Sequence, residues 1–95
     1  MAAKNPNIKH IEVDGIEIDF DMGVFEDDNF MLIYGALIDK TLDENEKAVW
    51  YSRFMRLLFG DDQAYRISTE RKKQGSKKPL YEFFGDVLEA VNAKN

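Results

Sequence analysis

The side chains in this sequence best equipped for chemistry are its carboxylate groups: Asp27-Asp28, Asp43-Glu44-Asn45-Glu46 and Asp61-Asp62. Paired carboxylates bind hard cations or share a proton, the uses that metal sites and acid–base catalysis make of them. All three groups fall where helices are expected to begin, and acidic residues there offset the positive end of the helix dipole. Helix starts therefore account for them. The spacing of Asp19, Asp21, Glu26, Asp27 and Asp28 loosely follows a calcium loop but lacks its glycine and its terminal bidentate Glu. His10, the one histidine, sits in an alternating run with no partner near it in sequence, as a solvent-facing strand residue would. Ser52, Ser68, Thr69 and Ser76 stand in no nucleophile elbow, and there is no glycine-rich phosphate loop. A chain without Cys has no disulfide, thiolate zinc site or Cys nucleophile. The expectation is a protein that is not an enzyme and needs no cofactor or metal.

Two other features suit binding rather than catalysis. The net charge of -5 is uneven: residues 1–62 hold fourteen acidic and six basic side chains, residues 63–95 four and seven. Arg71, Lys72, Lys73, Lys77 and Lys78 form a basic segment, with Arg66 just before it. Such a segment contacts phosphates in nucleic-acid binders, but no aromatic is interleaved in it and the chain as a whole is acidic, so nucleic acid is not the expected partner. The second feature is aromatic content: seven Phe, four Tyr and one Trp in 95 residues. That is more large apolar surface than a thin core easily takes up. Phe25, Phe30, Tyr51, Phe59 and Tyr81 are the candidates for an exposed docking face, since interface cores are rich in aromatics.

These residues must be positioned by a small α+β fold, mainly α, with an N-terminal β-hairpin followed by about four helices in a bundle. Met1 to Asn7 reads as a disordered lead, 8–92 as one domain (hairpin 8–21, helical body 27–92) and 93–95 as a tail. In the hairpin two alternating runs flank Asp14-Gly15, a favoured pair for a type I′ turn. Ile16, Ile18 and Phe20 share one face with Ile11 and Val13. After a connection at Met22 to Glu26, Asp27 or Asp28 caps a helix to about Lys40, with Phe30, Ile33, Tyr34, Leu37 and Ile38 as its core stripe. Gly35 within it suggests close packing or a weak helix. Thr41-Leu-Asp-Glu44 matches a capping box for a helix that Gly60 ends, with Trp50, Phe54, Leu57 and Leu58 as its stripe, widened by Tyr51 and Met55. Asp61 or Asp62 caps a third, weakly amphipathic helix, Gln63 to about Lys73, that frays into a flexible QGSKK loop. The last helix starts at Lys78-Pro79 and carries the clearest stripe: Leu80, Phe83, Phe84, Val87, Leu88 and Val91. No apolar run approaches the ~20 residues that span a bilayer, and Met1–Asn7 has no apolar signal region, so a soluble intracellular domain is expected.

This layout resembles the small tail assembly chaperones of long-tailed (siphovirus-type) phages and prophages. The resembling features are the strand-forming start IEVDGIEIDFD, the Leu-rich helix ending FMRLLFGDDQAYRI (Phe54 to Ile67), a basic glycine-containing loop, and the amphipathic end PLYEFFGDVLEAVNAKN (Pro79 to Asn95). The resemblance implies a non-enzymatic protein that binds the tape-measure and tail-tube proteins, keeps them soluble during tail morphogenesis and is absent from the finished virion. It carries no catalytic residues over. On this reading the apolar positions of the second and last helices, with the hairpin's outer edge, cover the client, and Lys72, Lys73, Lys77 and Lys78 steer it. A structural tail or head–tail joining subunit and a small nucleic-acid-associated regulator using 71–78 are the alternatives. Whether the hairpin packs in cis or pairs with another copy in a homo-oligomer stays open.

Overall fold

The computed structural model describes residues 7–93; positions 1–6 of the expected lead and 94–95 of the expected tail lie outside them. The hairpin forms as its alternation dictates: β1 (Ile8–Val13) pairs antiparallel with β2 (Ile16–Asp21), Val13 opposite Ile16 and Ile11 opposite Ile18. Asp14 and Gly15 both take positive φ (54° and 79°), the requirement of a type I′ turn. The chain is tied down from Asn7, whose carbonyl accepts from the Met22 N–H at 2.8 Å. The expected connection after β2 is a 3-10 turn, Met22–Glu26, begun by the Asp21 carboxylate accepting from the Gly23 N–H.

Four helices follow: α1 (Asp28–Ile38), α2 (Glu44–Phe59), α3 (Asp61–Lys73) and α4 (Leu80–Asn92). The expected capping box is displaced by two residues. Asp43, not Thr41, caps α2, accepting from the Glu46 N–H at 2.8 Å while the Glu46 carboxylate accepts from the Asp43 N–H at 3.1 Å. Thr41 is taken by Asp39, which accepts from both its hydroxyl (2.6 Å) and its N–H (2.8 Å). Those two bonds hold the Asp39 carboxyl below its ordinary range. Gly60, at φ 78°, ends α2 and begins α3 directly, so Asp61 and Asp62 occupy the first turn of α3 instead of capping it. Pro79 takes the cap position of α4 rather than its first turn.

The end of α3 is closed by hydrogen bonds as the chain enters 74–78. Gly75 is left-handed (φ 63°), the Ser76 N–H bonds the Arg71 carbonyl and the Gly75 N–H bonds the Lys72 carbonyl, each at 3.0 Å. This is the Schellman ending of a helix, which satisfies its last carbonyls.

The core lies between the inner face of the hairpin and the helices. Ile16, Ile18 and Phe20 are buried together with Phe54, Leu58, Ile67, Phe83, Val87 and Val91. Phe54 and Phe84 meet edge to face at 5.0 Å, the geometry that aromatic quadrupoles favour. Six of the seven Phe are buried, whereas Tyr34, Tyr65 and Tyr81 are exposed and Tyr51 is half-buried. The aromatic surplus is thus divided by the hydroxyl: phenylalanines fill the core and tyrosines line the surface, where a polar tip stays wet.

Candidate functional site

The two ends of the molecule treat their side chains differently. At the hairpin end, polar side chains close the structure. The Gln63 amide pairs with the outward backbone of Asp19 as a strand would, accepting from its N–H at 2.7 Å and donating to its carbonyl at 2.9 Å. Arg66 donates to the Glu17 carbonyl at 2.6 Å. The edge of β2 is therefore sealed by α3 against the addition of a further strand. On the β1 edge no backbone partner of Ile8, His10 or Glu12 is found among the described residues. His10 does have a partner, the Asp19 carboxylate across the hairpin. The sequence separation of nine hid it, and only the register brings the two together. Lys9 reaches α4, donating to the Val91 carbonyl at 2.6 Å, which places a cation at the negative end of that helix.

The basic segment is partly consumed in the same way. Lys78 is clamped by Asp14 at 2.9 Å and by Asp86. The Asp86 carboxylate first, and then Asp14, raise its pKa above the ordinary lysine value. Arg71 donates to the Lys78 carbonyl, and its guanidinium lies 5.1 Å from the Phe83 ring centre. Its Nε is buried without a hydrogen-bond partner. Gln74 donates to the Asp14 carbonyl at 3.0 Å. Lys78 is thus a structural ion-pair residue and not a steering charge. Lys72, Lys73 and Lys77 remain exposed, Lys73 lying 3.8 Å from Glu70.

The predicted aromatic face is not brought together. Phe30 and Phe59 are core residues, and Phe25 packs its ring on Phe20 (5.7 Å) and Phe30 (5.3 Å) while keeping one side exposed. Tyr51 and Tyr81 do share a site. With Tyr34, Leu37, Ile38 and Leu88 they line an apolar groove of about 230 Å³ between α1, α2 and α4. Tyr51 stacks on Phe84 at 5.9 Å. Burial, reinforced by the Glu44 carboxylate, pushes its hydroxyl above the usual tyrosine value.

The groove opens onto a surface that the hydrophobic pattern misassigned. Met31, Leu32 and Ile38 on α1 are 65%, 67% and 61% exposed, and Tyr34 stands beside them. Only Phe30 and Ile33 of this helix are buried. Of its eleven residues eight are apolar or aromatic, and a helix apolar all round is either enclosed or partnered. That excess was the available signal. The exposed apolar surface is thus most concentrated on the first helix, while the α2 stripe turns inward through Phe54, Met55, Leu58 and Phe59 and leaves Val49 exposed, as Tyr65 on α3 and Tyr81 on α4 are. A second concavity, about 570 Å³, runs between α2 and α3, with Tyr51, Met55, Arg56, Ala64 and Tyr65 among its lining. It is an open, mainly apolar trough, and among the described residues no hydrogen bond joins Ser52 or Ser68 to a base. Among the described residues no group of three acidic or His side chains could hold a metal ion, and no helix is long and apolar enough to cross a membrane.

Comparison with protein families, curated proteins and solved structures finds no match for this chain.

Proposed function

We propose that this protein is a non-enzymatic holding chaperone that binds an aggregation-prone client through α1 and the adjoining groove, in the manner of the small tail assembly chaperones it resembles. The clients on this reading are the tape-measure and tail-tube proteins, held in the cytoplasm of the bacterial host during tail morphogenesis. One observation carries the reading: Met31, Leu32, Tyr34 and Ile38 stand exposed on one helix next to an apolar groove. Contiguous apolar patches on a small domain mark places where another molecule binds.

The path for a client is shaped by what is already closed. Strand addition is limited to β1, because Gln63 and Arg66 occupy β2. Steering by the basic segment is reduced to Lys72, Lys73 and Lys77. The nucleic-acid reading loses Lys78 to its ion pairs and the free reach of Arg71, which is held by the Lys78 carbonyl. A structural subunit that assembles through the β1 edge is the second reading, favoured by that edge alone. Co-expression with the candidate tape-measure protein tests the first: the client is expected in the soluble fraction only when this chain is present. A client equally soluble without it contradicts the holding role. A stable ring of this chain by size exclusion with light scattering would favour the second reading.

A further inference from the structure

We infer that the occupant of the α1 face is an amphipathic helix with basic flanks, laid along α1 with its closest approach at Gly35. The inference rests on the holding role proposed above and names the chemistry of the segment held.

The first argument is the spacing. Met31, Tyr34, Gly35 and Ile38 recur at i, i+3, i+4 and i+7 on the outer side of α1, and helix-in-groove recognition uses this same periodicity. The second is the pair of mid-helix glycines. A glycine inside a helix is destabilising relative to Ala, and its use requires a reason. Gly35 and Gly85 have ordinary negative φ, and a Cβ added at either would meet nothing within 4 Å. Neither backbone strain nor packing within the chain explains them. Gly85 lines the groove and Gly35 lies on the exposed stripe beside it. A bare backbone on an exposed apolar stripe lets a second helix come nearer than the ordinary 8–10 Å interaxial distance allows with larger side chains.

The third argument is charge. Between Glu26 and Lys47 stand seven carboxylates and two lysines. Glu26, Asp27 and Asp28 lie at the start of α1, and Asp39, Asp43, Glu44 and Glu46 just beyond its end. Glu44 is close enough to the groove to act on Tyr51. A second copy docked by this face would set acidic ends against acidic ends, and such like-charge juxtaposition is costly. A helix with Lys or Arg outside its apolar stripe meets complementary charge at both ends.

The test uses the full chain and three labelled peptides of roughly 18 residues, long enough to form a helix when bound. One has a Leu/Ala stripe with Lys flanks, one the same stripe with Glu flanks, and one the Lys-flanked stripe broken by a central Pro. By fluorescence anisotropy the Lys-flanked helix is expected to bind at least about tenfold more tightly than either control, and to weaken with salt. Gly35→Gln should reduce its affinity by about tenfold while the thermal midpoint holds or rises, because Gln is the better helix former. Charge is unchanged in that variant, so a loss cannot reflect general attraction between a basic peptide and an acidic protein. Equal binding of the Glu-flanked or Pro-broken peptide, no binding of any peptide, or full affinity in Gly35→Gln overturns the inference. A dimer by sedimentation that Gly35→Gln disrupts does so too. The holding role is read separately: if Met31→Ser, Leu32→Ser and Ile38→Ser together leave a co-expressed client soluble, that reading of the face fails. If they abolish its solubility while the peptides show no preference, only the basic-helix occupant is wrong.

Discussion

The hairpin end and the α1 end differ in the side chains that finish them, polar and paired at the first and apolar and exposed at the second. At the hairpin, long polar side chains from distant parts of the chain close every place they reach: Gln63 and Arg66 seal the β2 edge, and Lys78, Gln74 and Arg71 join the turn at Asp14 to the start of α4. On the outer side of α1 no such closure is found among the described residues. Its apolar outer side, its bare glycine and the groove beneath remain open. The contrast teaches that exposure on α1 is local. A chain that was simply loosely packed would leave both ends open, and here the β2 edge and the hairpin turn are tied down, with only the β1 edge unpaired among the described residues at that end.

The largest effect that would sharpen this contrast is a core truncation at the closed end. Phe83→Ala should destabilise by about 3–5 kcal/mol in urea unfolding, the usual cost of emptying a buried aromatic site. Asp43→Ala should cost about 1 kcal/mol by loss of the capping box, whereas Thr41→Ala, whose hydroxyl serves only Asp39, should cost clearly less. Comparable losses for the two would place the start of α2 at Thr41 after all. Lys78 gives the next effect. Its pKa is raised in the folded state, so the ion pairs contribute fully at neutral pH and the contribution is lost as pH rises through the raised value. Thermal midpoints measured between about pH 9 and 12 should fall in the wild type and fall less in Lys78→Met. Equal decline in both would show that the clamp contributes nothing. The smallest change is expected at the open end: Leu32→Ser should alter stability by no more than about 0.5 kcal/mol. A loss of several kcal/mol there would mean that α1 is core and would dissolve the comparison.

How much of this was legible in the sequence depends on whether the signal was local. Period-two alternation around Asp14-Gly15 specifies a hairpin, its turn and its buried face without outside help. The last helix, with one apolar stripe and a polar remainder, faces inward as its spacing requires. The capping box failed because Thr41-x-x-Glu44 and Asp43-x-x-Glu46 both satisfy the pattern, and the bond between Asp39 and Thr41 decides between them. On α1 the helix was legible and its face was not, since periodicity cannot choose a side when nearly every side is apolar. The basic segment misled for a different reason. Of the two partners of Lys78, Asp86 is eight residues on and Asp14 is sixty-four residues away in sequence, and nothing near Asp14 announces the pairing.

Hydrogen exchange of the full chain with and without a soluble client fragment tests the central claim directly. The account predicts slowed exchange of backbone amides across α1 and along the groove-lining part of α4, with α3 and β2 unchanged. Protection confined to the β1 edge or to α3 and its basic end, with α1 exchanging as in the free chain, would contradict it.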